Sequence, residues 1–166
     1  MAFGSTRTDE LGKAGAGLIV GDTGVVSTYT DFEDGLIGGL FAKFKDDKIQ
    51  NIDGSEDSED VVCAGIVLAS TTGAIEDDGK YTAENSILAD AVESGLCTVT
   101  VVSDVEISKF DKVYVYNNDK NNVEDNGKAT PHSADSDGGD GIVANIPVDG
   151  YFYKQISDTV WTVRQR

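Results

Sequence analysis

Residues 95–117, GLCTVTVVSDVEISKFDKVYVYN, constrain the fold more than any other stretch of this chain. Cys97, Val99 and Val101 alternate with Thr98, Thr100 and Val102, and Val113 and Val115 alternate with Tyr114 and Tyr116. A period of two in β-branched and aromatic residues is the pattern of half-buried strands. Two strands are therefore expected, over 96–102 and 112–116. The polar connector between them ends in a Phe110-Asp111-Lys112 turn.

The same reading extends along the chain. Residues 40–44 alternate and predict a strand, Asp46-Asp47 a turn, and 48–52 a short return. Residues 53–60 carry five acids in eight positions and read as a solvated loop. The ten uncharged residues 61–70 (VVCAGIVLAS) predict a central strand interrupted at Gly65 by a bulge. Residues 87–92 fit a short helix or a strand, and strand is favoured. Residues 117–127 read as a long polar turn and SDGGDG (136–141) as a flexible tip. Strands follow over 142–148 and 151–156, with Pro147 marking an edge or a strand end. The closing strand 159–166 sets Val160, Thr162 and Arg164 against Trp161 and Val163. About ten short strands with regular turn signals predict an all-β fold, an antiparallel β-sandwich or barrel spanning 25–166 as a single β domain. Residues 1–24, rich in glycine, read as an extended N-terminal arm. Leu18, Ile19 and Val20 are its one segment able to pair. The arm either frays or orders on a neighbouring subunit.

Charge restricts the partners. The chain has 166 residues, 30 acidic against 13 basic, for a net charge of −17. Such a surface repels phosphate backbones and anionic bilayers, so neither nucleic acid nor membrane is an expected partner. No apolar run approaches a membrane span and the amino terminus lacks a signal-peptide core, so a soluble product made in a cytoplasm is expected. Cys63 and Cys97 sit in apolar runs and read as reduced, buried thiols, with a single disulfide left open. Lys154, Arg164 and Arg166 make the carboxyl end basic and are candidates for a subunit interface.

The residues do not spell a catalytic motif. The one histidine, His132, lies in a polar loop beside Ser133, and sequence adjacency does not place two groups for proton transfer. The cysteines and histidine lack the close ligand pairs of structural zinc. Gly12-Gly15-Gly17 does not complete a phosphate-binding loop. Calcium is the strongest of the metal signals: Asp135, Asp137 and Asp140 place oxygens at short spacing, as do Asn117, Asp119 and Asn121. Neither set completes a twelve-residue calcium loop. No cofactor and no enzymatic activity are expected.

The succession of strands resembles the structural cement, or capsid decoration, proteins of tailed bacteriophages. The residues that carry it are Gly95-Leu96-Cys97-Thr98-Val99-Thr100-Val101, Phe110-Asp111-Lys112-Val113-Tyr114-Val115-Tyr116, Gly127-Lys128-Ala129-Thr130, Ile146-Pro147-Val148-Asp149-Gly150-Tyr151-Phe152 and Trp161-Thr162-Val163-Arg164. Upstream, Phe41-Ala42-Lys43-Phe44 and Cys63-Ala64-Gly65-Ile66-Val67-Leu68 fit the opening strands. The match runs from about residue 35 to 166. The resemblance implies a β-sandwich or barrel on the outer capsid surface of the virion, a homodimer or homotrimer that ties neighbouring major capsid subunits together. The acidic loop 53–60 and the polar insertion 117–140 depart from the family rhythm and leave stoichiometry and symmetry axis open. A calcium-dependent or carbohydrate-binding β-sandwich module, such as an adhesin or fibre domain, is the alternative reading. A hydrolase with acidic catalysts ranks last.

Overall fold

The computed structural model describes residues 25–29, 36–45, 48–68, 74–75, 81–83 and 88–166. The arm reading for 1–24, with Leu18, Ile19 and Val20, lies outside the described residues. In chain order the strands are β1 (Val25–Tyr29), β2 (Leu36–Ile37), β3 (Phe41–Lys45), β4 (Lys48–Asn51), β5 (Val62–Val67), β6 (Ala74–Ile75), β7 (Tyr81–Ala83) and β8 (Leu88–Val92). Then come β9 (Gly95–Thr100), β10 (Lys112–Val115), β11 (Ala129–Thr130), β12 (Ala134–Ser136), β13 (Ile142–Ala144), β14 (Ile146–Ser157) and β15 (Val160–Gln165). Nine of these are four residues or longer, close to the number expected. Among the described residues the only helix is a single 3-10 turn, Val123–Asp125.

The fold is all-β and antiparallel. One five-stranded sheet runs β1-β8-β5-β3-β4 and a second runs β11-β10-β14-β15-β9. Between them lies a core that the alternating residues build. Phe41, Ile66 and Val92 come from the first sheet, and Cys97, Val99, Val113, Val115, Phe152, Trp161 and Val163 from the second. Removing such side chains from water stabilises the fold by about 1.5–3 kcal/mol for each large one. Phe152 and Trp161 meet edge to face at 5.7 Å. The opposite face of the first sheet is also covered: Ala42, Ile49, Ala64, Val67 and Ala91 cluster with Leu36.

Gly65 marks the expected bulge. The β3–β5 register slips between Ala42↔Gly65 and Lys43↔Cys63, leaving Ala64 unmatched. Gly65 has φ +108, and a Cβ there would stand 2.2 Å from the Val92 carbonyl oxygen, so β8 packs against bare backbone. Residues 88–92 are strand, as favoured.

Three expectations need correction. The strands over 142–148 and 151–156 divide differently. Asn145 ends β13, and β14 runs unbroken through Asp149-Gly150 because Gly150 pairs with Gln165. Pro147 is the second residue of β14, opposite Tyr114, so it marks a strand end inside the sheet and not an edge. Residues 117–127 are not a wholly solvated turn, although Ser136, Gly138, Gly139 and Asp140 of the tip are exposed. Asn117, Asn118, Asp125, Asn126, Thr130 and Asn145 are all buried.

Candidate functional site

Most buried polar groups of 117–145 are paired within the chain, Asn117 Oδ1 excepted. Asn118 is the hub. Its Oδ1 accepts the backbone N–H of Lys120 (2.9 Å) and Asn121 (3.1 Å), and its Nδ2 donates to the Ser136 carbonyl (3.0 Å). Its own backbone closes a reciprocal pair with Asn126: N–H to Oδ1 at 2.7 Å, and Nδ2 of Asn126 to the Asn118 carbonyl at 2.9 Å. Asparagine suits this place because one side chain supplies both donor and acceptor. The Asn121 carbonyl accepts the Tyr116 hydroxyl at 2.9 Å. Burial, then Asp135 and Asp125, raise the Tyr116 phenol above its ordinary range.

The acidic loop 53–60 docks on this hub. Asn117 Nδ2 donates to the Glu56 carbonyl and the Ser58 hydroxyl, both at 2.9 Å. Ser58 Oγ in turn donates to the Ala144 carbonyl. Gly54, at φ +80, comes so close that a Cβ would stand 2.4 Å from the Asn118 carbonyl oxygen. Lys43 ties the loop to the core. It shares the inward face of β3 with Phe41, is 2% exposed, and its Nζ reaches Asp53 Oδ1 at 3.1 Å and Glu56 Oε2 at 3.0 Å. Lys45 reaches the other Glu56 oxygen at 3.0 Å. Hydrogen bonds from Lys43 and Lys45 hold the Glu56 carboxyl below its usual range. Burial pushes Asp53 upward, but bonds from Ser55 and Lys43 outweigh it and keep that carboxyl low as well. So two regions that depart from the family rhythm form one cross-braced unit. Sequence reading missed it, although Lys43 on the Phe41 face was a signal.

The calcium candidates fall within this unit. Asp135 accepts Asn145 Nδ2 and lies 3.4 Å from His132 Nδ1. Asp137 Oδ1 accepts the backbone N–H of Gly139 (2.9 Å) and Gly141 (3.1 Å), and these bonds hold its carboxyl low. Asp140 is exposed at the tip between β12 and β13. Among the described residues no group of three or more His, Cys, Asp or Glu side chains is placed to hold a metal ion. His132 is exposed on Asp135, while Ser133 bonds through its carbonyl to Asn145 N–H. Cys63 and Cys97 are unlinked, and burial pushes their thiols up to about 11 and about 12.

The basic carboxyl end has a different character. Arg164 projects outward from β15 and pairs across the sheet with Tyr151 of β14, which pairs in turn with Lys112 of β10. Lys154 lies opposite Thr162, on the same outer side. Arg166 extends past β15 and stands over the Tyr151 ring at 5.9 Å. An open cleft of about 450 Å³ is lined by Phe110, Lys112, Asp149, Gly150, Tyr151 and Arg166. A second, of about 250 Å³, shares Asp149 and Arg166 and opens beside Cys63, Gly65 and Gln165. Lys109, Phe110 and Lys112 were read from sequence only as a turn; their basic-aromatic spacing was the available signal.

Over 99% of its length the chain is similar to a chain of the capsid of Myoviridae phage XM1, at 31% identity, 97% coverage of that chain and a TM-score of 0.71. The chain belongs to the phage capsid-related proteins. A virion structural role follows from that membership. No protein-family model and no curated protein matches this capsid-related chain. No helix among its described residues is long and apolar enough to cross a membrane.

Proposed function

We propose that this capsid-related chain is a cement or decoration protein, which binds the outside of the icosahedral head and ties neighbouring major capsid subunits together. The single observation that carries this reading is the full-length similarity to a chain of a phage capsid. The surface agrees with it. Its clefts are open and shared with charged side chains, the form of a contact face more than of a reaction chamber. A protein present in many copies gains affinity from repeated shallow contacts and needs no deep pocket. The outward acids would keep a densely studded particle soluble.

In this reading the chain acts as a homodimer or homotrimer. Leu18, Ile19 and Val20 of the arm and Lys154, Arg164 and Arg166 supply contacts to the shell or to sister copies. The test is addition of purified protein to heads that lack it. Co-sedimentation, with a rise in the temperature at which the heads rupture, is the expected result. Protein that stays in the supernatant would overturn the reading. Removal of residues 1–24 tests the arm alone: weaker capsid affinity is expected, and unchanged affinity means the arm makes no contact.

A further inference from the structure

The sheet gathers five of the chain's 13 basic residues around its exposed aromatics: Lys109, Lys112, Lys154, Arg164 and Arg166. None of the five forms an ion pair among the described residues, in a chain with 30 acids. Three of them stand over rings instead. Lys109 Nζ lies 4.8 Å from both the Phe110 and Tyr153 centroids, Lys112 Nζ is 5.8 Å from Tyr114, and Arg166 covers Tyr151. The two carboxylates in the cleft linings, Asp149 and Glu93, pair with none of these groups. Among the described residues this face thus presents cations with no carboxylate partner of their own.

Phe110 gives the face its second mark. It is 64% exposed at φ +76, a left-handed backbone that a bulky residue adopts only at a cost. Four contacts impose that geometry. Phe110 N–H donates to the Phe152 carbonyl (2.7 Å) and Phe152 N–H to the Asp111 carbonyl (2.9 Å). Ser108 N–H donates to Asp111 Oδ2 (2.7 Å), and Asp111 N–H returns to the Ser108 carbonyl (3.2 Å). A glycine would sit there without strain and leave nothing apolar in water. Strain and exposure together point to a ring kept for a partner.

We infer that the face formed by Lys109, Phe110, Lys112, Tyr151, Arg164 and Arg166 docks the protein onto a carboxylate-rich protein surface of the capsid shell. The inference rests on the cement reading and names which face turns inward and what chemistry meets it. Carboxylates are acceptor-only groups that take guanidinium bidentately, and aromatic residues with arginine are the composition of interface hot spots. Nucleic acid would supply acceptors too, but its charge runs along the whole backbone and meets the acidic surface beyond this face, in a chain of net charge −17, whereas a protein surface can confine its carboxylates to the patch the face covers. A second copy docked through the same face would set cations against cations.

The test compares head binding by wild type, the triple reversal K112E/R164E/R166E and F110G, each titrated against heads by co-sedimentation over a salt series. Expected are a wild-type affinity that falls steeply with salt, a loss of tenfold or more in the triple variant with a flatter salt dependence, and a loss of about fivefold in F110G with an unfolding midpoint no lower than wild type. Amidation of the heads' exposed carboxylates should abolish wild-type binding. Wild-type failure to bind heads sinks the cement reading and this inference with it. Wild-type binding with variants that bind equally, or with amidated heads that bind equally, sinks only the inference. Two further results would also overturn it: variants that lose self-association in sedimentation velocity, assigning the face to a second copy, or wild-type retention of duplex DNA that the triple variant lacks.

Discussion

The braced unit of loop 53–60 with 117–145 and the basic face around Tyr151 are both rich in polar and charged side chains, yet they differ in where those groups find partners. In the first, Asn118, Asn126, Asn117 and Lys43 are buried and bonded to residues of the same chain. In the second, the cations are exposed and form no ion pair among the described residues. A buried polar group without a partner costs about 1–3 kcal/mol, so each bond lost from the first region is expected to lower stability. An exposed cation has water and costs almost nothing. The difference separates polar residues that hold the fold from polar residues available to something else.

Variants should divide along the same line. The largest stability effect is expected at Gly54. Alanine there meets both the strained φ +80 and the Asn118 carbonyl, and a loss of about 3 kcal/mol or more should appear in denaturant unfolding. A Gly54→Ala protein of wild-type stability would mean that the loop is not braced on 117–145. Next is Lys43→Ala, which empties a buried site and takes one partner from each of two carboxylates, Glu56 keeping Lys45 and Asp53 keeping Ser55; about 2–3 kcal/mol should be lost. Lys43→Met, of similar volume, should recover most of that loss, because a packed apolar chain replaces an ion pair at little cost.

A smaller effect follows from pH. Asp53 and Glu56 have folded pKa values below their ordinary 3.8 and 4.5, so their contribution is fully present above those values. It is lost as pH falls through the lower folded values. Both groups keep contact with water, so the contribution is at most about 1 kcal/mol each. Between pH 4.5 and the acid transition, the unfolding midpoint of Lys43→Met should therefore fall less steeply than that of wild type; parallel curves would remove Lys43 from the account. At the alkaline end the sign reverses. The thiols of Cys63 and Cys97 titrate at about 11 and about 12 when folded, against an ordinary 9.0, so stability should decline as pH climbs from 9 toward 11. Cys97, fully buried, should resist a thiol reagent at pH 8 until the protein unfolds, whereas Cys63, half-buried beside a cleft, should label first; rapid labelling of Cys97 in the folded state would contradict its burial.

The smallest stability effects belong to the basic face. Lys112→Ala and Arg164→Ala should shift stability by less than about 0.5 kcal/mol, because neither side chain has an ion pair to lose among the described residues. A large loss at either position would make the face part of the fold's own bracing and dissolve the contrast with 53–60 and 117–145.

The sequence by itself determined the strands whose evidence is local. Cys97, Val99 and Val101, and Val113 and Val115, alternate because successive strand residues face opposite sides, and that period is visible in a few consecutive letters. Gly65 announced its bulge for a similar reason, as a residue without a side chain inside an apolar strand. The strand succession also carried the resemblance to capsid proteins. What only the tertiary structure decided is the fate of the polar residues. Asn, Asp, Ser and Gly bond equally well to water and to backbone, so 117–140 reads as solvated loop whether it is or not. Its burial depends on Glu56 and Ser58, about sixty positions away in the chain. Lys109, Phe110 and Lys112 likewise gained their meaning only when β10 and β14 paired and set Lys112 opposite Tyr151, with Arg166 reaching over from β15. Alternation is a property of neighbours along the chain, while satisfaction of a hydrogen bond or a charge is a property of neighbours in space.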